Sequence, residues 1–252
     1  MSVFAEGRNT TSNVLDALGV GDRGAAVFLD MNRNGVQDAG EPSTTTDLNG
    51  RYTLDYSEVT GSITGLPVVV TGGVDSDTGF AFAGKLAAPV ESARQAQVVT
   101  PLTTLVDAMV AQGLAADVAS AKQQVATALG LTVDQLSTDP VAAIASNPGI
   151  YTTAVALQRS IQLLASANAI TGESSHESQE RVIRALATAI RSQTSPLDVS
   201  QLIASVPLSN SMAAQQLATA VSNSVKTGLD SSGQDGAKAA LRAMDEVRTR
   251  ME

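Results

Sequence analysis

The chain has no cysteine and no tryptophan, one histidine, three tyrosines and four phenylalanines in 252 residues. Without cysteine there are no disulfides and no thiolate metal sites, which is compatible with a bacterial extracellular protein that folds around a cation instead. The lone imidazole, His176, cannot make the two-histidine helical spacing of a zinc hydrolase. No Gly-x-Ser-x-Gly elbow presents a nucleophile. The shortage of aromatic rings also argues against a paired-carboxylate glycosidase, because sugar clefts need stacking platforms. A non-enzyme is therefore expected. Basic residues are few as well: 16 Lys and Arg stand against 25 Asp and Glu, for a net charge of -9. They are scattered, so nucleic acid, which needs clustered cations, is not an expected partner. No apolar run approaches the length of a transmembrane helix, and membrane insertion is not expected. The first fourteen residues hold no apolar core of signal-peptide length. An export signal would then have been removed, lie in a longer parent chain, or be of another type.

What the chain does have is residues 30–41, DMNRNGVQDAGE. Oxygen-bearing side chains stand at loop positions one, three, five, nine and twelve, and glycine at six: Asp30, Asn32, Asn34, Asp38, Glu41 and Gly35. Calcium takes six to eight oxygen ligands in a flexible shell, and short carboxylates and amides at alternate positions turn towards one centre as the chain curls. Gly35 permits the sharp turn, Val36 offers its backbone carbonyl, and the longer Glu41 closes the shell with both oxygens. The expected cofactor is Ca2+. The same residue types also populate ordinary turns.

The flanks distinguish this loop from a helix-loop-helix sensor. Ala25, Ala26, Val27, Phe28 and Leu29 precede it, and Pro42, Ser43 and three threonines follow, both of them extended-backbone compositions. Then come Asp47-Leu48-Asn49-Gly50, a turn, and the alternating Arg51-Tyr52-Thr53-Leu54-Asp55. The loop is thus expected between β-strands. Asp47, with Asn49, either adds a ligand to the same or a neighbouring ion or forms a plain hairpin turn. Asp75 and Asp77, in a Gly-rich loop, are either a second calcium site or solvated turn residues, with the turn favoured.

Composition shifts near Thr100, from Gly, Thr, Val and Asp with short apolar runs to Ala, Leu, Gln and Ser in helical periods. This predicts an α+β protein: an arm or short helix over 1–20, a small calcium-binding β-sandwich over 21–99 and an all-α bundle over 100–252. Helices are predicted from Pro101 to Gly113, over 117–129 with a stop at Gly130, briefly from Asp139-Pro140, and over 150–169, 177–192, 198–206 and 211–229. A last helix, 237–251, is set off by a loosening stretch from Gly233 to Gly236. Asp107, behind Thr103 and Thr104, is expected to cap or bridge to the β part. The threonine pair itself reads as packing and hydrogen bonding at the junction rather than as a nucleophile.

The passage VFLDMNRNGVQDAGEPSTTTDLNGRYTL resembles the calcium-binding β-sandwich modules of bacterial surface proteins, such as the type B domains of serine-aspartate-repeat adhesins. The likeness lies in the Asp-x-Asn-x-Asn-Gly-x-x-Asp-x-Gly-Glu loop and the later Asp-x-Asn-Gly-x-Tyr turn. GGVDSDTGFAFAGKLAAPV with VVTPLTTLVDAMV is similar to segments of large secreted adhesin or surface-layer proteins. The resemblance covers about 24–110 and implies an extracellular or cell-surface, calcium-stabilised structural or adhesive module of a surface or biofilm-matrix assembly. Its partners would be other copies of itself, other matrix proteins, or glycan. The large helical part departs from the tandem-stalk pattern. The competing expectation is a calcium-dependent glycan- or protein-recognition module without assembly. A sensor is disfavoured by the strand-like flanks.

Overall fold

The computed structural model describes residues 12–14, 22–75, 82, 84–92 and 97–251. The fold is α+β. Short strands come first: β1 (Ser12–Val14), β2 (Asp22–Arg23), β3 (Ala26–Leu29), β4 (Ser43–Thr45), β5 (Arg51–Tyr52), β6 (Pro67–Thr71), β7 (Val74–Asp75), β8 (Lys85–Pro89) and β9 (Val98–Val99). Helices follow: α1 (Pro101–Ala111), α2 (Val118–Leu129), α3 (Val133–Leu136), α4 (Pro148–Ala167), α5 (Ser175–Arg191), α6 (Val199–Ala204) and α7 (Ser211–Met251).

The largest sheet is antiparallel, in order β4-β3-β6-β8. Val27 faces Val70, Phe28 faces Val69, and Val69 in turn faces Ala87. Because side chains alternate across a strand, one face carries Val27, Leu29, Val68, Val70, Leu86 and Ala88 into a core shared with Tyr52, Leu54, Tyr56, Val90 and Val99. The other face carries Phe28, Val69 and Ala87, also buried. Both faces being dry explains why β6 is an unbroken apolar run. Burying each such side chain contributes about 1.5–3 kcal/mol relative to exposure.

A separate apolar core extends through the helices from Leu102 to Val225. Alanines contribute to it: Ala156 of α4, Ala187 of α5 and Ala214 and Ala218 of α7 are fully buried, and α4 packs against α7. The helix ends follow local chemistry. Asp117 caps α2 through Ser120 N–H, and Gly130, at φ +66°, ends it in the left-handed conformation. Ser174 and Glu177 form a reciprocal capping box on α5.

Three expectations change. Residues 12–14 form a strand where an arm or short helix is expected. Asp139 starts tight turns through 146 instead of a helix, its Oδ1 accepting from Val141 and Ala142 N–H, while the unpredicted α3 forms just before it under the Thr132 and Gln135 capping box. The two predicted C-terminal helices are one element, α7, with Gly233 inside it at φ +60°. The run Gly79 to Phe82 lies outside the described residues except for Phe82, which is buried.

The passage from sheet to helix has no intervening loop. Thr100 follows β9 directly, caps α1 through Thr103 N–H, and is followed by Pro101 at the first helical position. Thr103 Oγ1 donates to Ala87 C=O at 3.0 Å, and Ala87 N–H donates to Thr104 Oγ1 at 3.0 Å. The threonine pair therefore binds α1 to the outer edge of β8.

Candidate metal centre

The loop 30–41 joins β3 to β4 as strand-loop-strand. Its closure begins at Asp30, only 2% exposed, where the chain leaves the sheet. Asp30 Oδ1 accepts from Asn34 N–H at 3.1 Å and Oδ2 from Gly35 N–H at 2.7 Å. Asn32 Nδ2 and Asn34 Nδ2 both donate to Asp38 Oδ2 at 2.7 Å. Glu41 reaches back across the mouth, Oε1 accepting from Met31 N–H at 2.7 Å and Oε2 from Asp38 N–H at 3.0 Å. Five predicted ligands thus meet in one hydrogen-bonded ring: Asp30, Asn32, Asn34, Asp38 and Glu41.

Gly35 sits at the apex with φ +76°, a conformation costing an L-residue about 1–2 kcal/mol. A methyl built there would lie 2.7 Å from Lys85 Nζ. Val36 is exposed and donates its N–H to Asn34 Oδ1 at 2.8 Å.

Does this ring suit calcium? Its donors are all oxygens of carboxylates and amides, the hard set that calcium prefers. Every carboxylate oxygen engaged by a single N–H retains a second lone pair for a cation. Among the described residues no three His, Cys, Asp or Glu side chains gather closely enough to hold an ion by themselves. The two asparagines complete the ring through Nδ2, while their Oδ1 atoms accept from Asn34 N–H at 3.0 Å and Val36 N–H at 2.8 Å and each keep a second lone pair that a cation could take. The donor set fits. Asp30, Asn32, Asn34, Asp38 and Glu41 would hold the ion, which would neutralise the charges of Asp30, Asp38 and Glu41.

The remaining predicted ligands stand elsewhere. Asp47 is exposed and closes its own turn, Oδ1 accepting from Asn49 N–H at 2.8 Å and Arg51 N–H at 2.9 Å. This is a local turn and not a hairpin, because β4 and β5 on either side of it belong to different sheets. Asn49 is exposed in the same turn. Asp75 pairs with Asp22 across β2 and β7 by backbone, and Asp77 lies outside the described residues.

The loop's surroundings contain residues that spacing did not single out. Arg33, at φ +60°, turns away from the ring, pairs with Asp107 of α1 at 3.2 Å and also donates to Gly65 C=O. Burial pushes the Asp107 carboxyl above its usual range, against the lowering influence of Arg33, and the charge of nearby Asp30 raises it further. Lys85, beside Gly35, pairs with Glu180 of α5 at 3.8 Å. His176, on the first turn of α5, faces the same corner, its Nε2 3.7 Å from the methyl position of Gly35. Burial and then Lys85 lower its pKa. Burial pushes Glu180 up, but Lys85 and Arg184 outweigh that and hold it below its ordinary value. An open cleft of about 440 Å³ beside the loop is lined by Phe28, Val36, Gln37, Phe82 and His176.

Sequence signalled Asp107 as a bridge to the β part, but not its partner, because Arg33 is 74 residues away. Neither protein-family models nor curated proteins nor solved structures offer a match to this chain.

Proposed function

We propose that the chain is a calcium-stabilised structural or adhesive module of an extracellular bacterial surface or biofilm-matrix assembly. In this reading a small β-sandwich is stapled by one calcium ion and followed by a helical bundle, and copies associate with one another or with other matrix proteins. The observation that carries it is the ring of Asp30, Asn32, Asn34, Asp38 and Glu41, closed between two strands. A loop held by strands on both sides suits a staple, because it lacks the helix pair whose opening makes a sensor. The acidic chain without cysteine supports the same setting: calcium takes the place of disulfides as the cross-link. Among the described residues no helix is long and apolar enough to cross a membrane.

Calcium stabilises through linkage, by about 2.7 kcal/mol at a free concentration one hundred times Kd. For a chain of this size that raises the melting temperature by roughly 5–10 °C. Thermal unfolding with calcium and with chelator measures it, and identical curves would refute the calcium reading. Size-exclusion chromatography under the same two conditions tests assembly: calcium-dependent multimers are expected, and a monomer in both would leave the recognition-module reading. The cleft beside the loop, with His176 and Val36 on its wall, favours that second reading, in which calcium holds a ligand-binding wall in place.

A further inference from the structure

β1 is the middle strand of a three-stranded sheet in order β5-β1-β9. It runs antiparallel to β5, with Ser12 opposite Tyr52 and Asn13 opposite Arg51. It runs parallel to β9, with Asn13 opposite Val98 and Val14 opposite Val99. Among the described residues β5 and β9 pair with no other strand. The sheet exists because a strand from far upstream is inserted between two others, and its tie to β2 is residues 15–21. Even fully extended, seven residues reach at most about 25 Å.

The slot that β1 fills belongs to the β core: Tyr52 on β5 and Val99 on β9 are both buried in it, beside Leu54 and Tyr56. With β1 gone, two strand edges would present unpaired N–H and C=O groups next to apolar side chains, the template that strand addition uses. The larger sheet offers no such template. Its β8 edge is blocked at Ala87, whose N–H and C=O are both taken by Thr103 and Thr104, and Gln97 Nε2 occupies Pro89 C=O at 2.8 Å. Its other edge, β4, directly follows Pro42, which has no N–H to donate.

We propose that β1 is an exchangeable strand, and that in the assembled state β1 of one copy occupies the β5–β9 slot of a second copy of this chain. This rests on the assembly reading above and names the contact through which copies join. Exchange needs no new surface, because an identical strand reproduces every register pair of the monomer. Release is cheap: β1 is three residues long, and each ladder hydrogen bond contributes about 1 kcal/mol net. Reciprocal exchange closes a dimer, and head-to-tail exchange builds an open filament.

The native chain has no cysteine, so introduced thiols report the position of the strand without interference. The double variant Asn13→Cys/Arg51→Cys places thiols on opposed residues, and Asn13→Cys/Val98→Cys repeats the measurement on the other side of β1. Each is oxidised in calcium at assembling concentration and run on a denaturing gel, with the melting temperature of the reduced form compared with that of the parent. Covalent multimers are expected, together with heterodimers when Asn13→Cys and Arg51→Cys single variants are mixed. A mixture of Asn13→Cys with Gln216→Cys, on the exposed surface of α7, sets the chance level. If both double variants cross-link only within one chain while multimers are present by size exclusion, exchange is wrong and assembly stands. If neither pair cross-links beyond the chance level, exchange is equally wrong. A chain that remains monomeric in calcium at every concentration overturns both.

Discussion

At the scale of single residues, Asp30 and Gly35 carry distinct burdens that substitution can separate. Asp30→Ala strips the acceptor from the buried Gly35 N–H, while Asn34 N–H keeps Asn32 Oδ1 at 3.0 Å. The expected loss is about 1–3 kcal/mol even in chelator, the cost of one orphaned buried donor. The calcium-dependent part of the melting temperature should vanish on top of that. Gly35→Ala meets both a left-handed backbone and Lys85, whereas Gly40→Ala, at φ +92°, meets open space. Gly35→Ala should therefore be the more destabilising of the two by chemical denaturation, unless Lys85 can withdraw. Lys85→Met then becomes the partner substitution that reduces the difference. A different residue reports on acid. Glu173 is held down at about 2, chiefly by its hydrogen bond from Arg181. A carboxyl depressed in the folded state contributes stability that is complete above its unfolded value and is lost as the pH falls towards 2. Carbon-detected NMR titration should find Glu173 still ionised at pH 3.5, and Arg181→Met should return it to the ordinary range.

At the scale of elements, the joint between β8 and α1 can be measured one amide at a time. Thr104→Val removes the acceptor of Ala87 N–H in a buried setting. The expected cost is about 1–3 kcal/mol, with faster hydrogen exchange at Ala87 and unchanged exchange in the middle of α4. Much of this layout was legible in the sequence. Strand-forming flanks placed the loop 30–41 between β3 and β4, and Asp117, Gly130 and Pro101 marked helix ends because capping is local chemistry. The hydrogen-bonded ring was legible for the same reason: its side chains lie within twelve consecutive residues. What remained hidden was non-local. Arg33 meeting Asp107, Lys85 meeting Glu180 and β1 lodging between β5 and β9 are pairings across long separations, and no periodicity encodes them. The missed α3 has only four residues, too few to show a helical period. Gly233 to Gly236 read as a break because glycine weakens helices, yet α7 continues through them.

At the scale of the whole molecule, the two larger apolar cores, one under the sheet and one among the helices, are tied by polar contacts that cross between them. Arg33 with Asp107, Lys85 with Glu180, and Lys122 with Glu91 at 2.8 Å all join the β region to helices. A double-mutant cycle on Arg33→Met and Asp107→Asn should return a coupling of about 1 kcal/mol, measured from denaturant midpoints. Additivity would mean that the pair contributes nothing to the docking. The direct succession of β9, Thr100 and α1 has a mechanical meaning beyond its hydrogen bonds. A tether between two regions normally pays out length under load before either yields. Here there is no slack to pay out. Tension along the chain passes from sheet to helix at a single residue, so the joint behaves as a weld rather than a hinge.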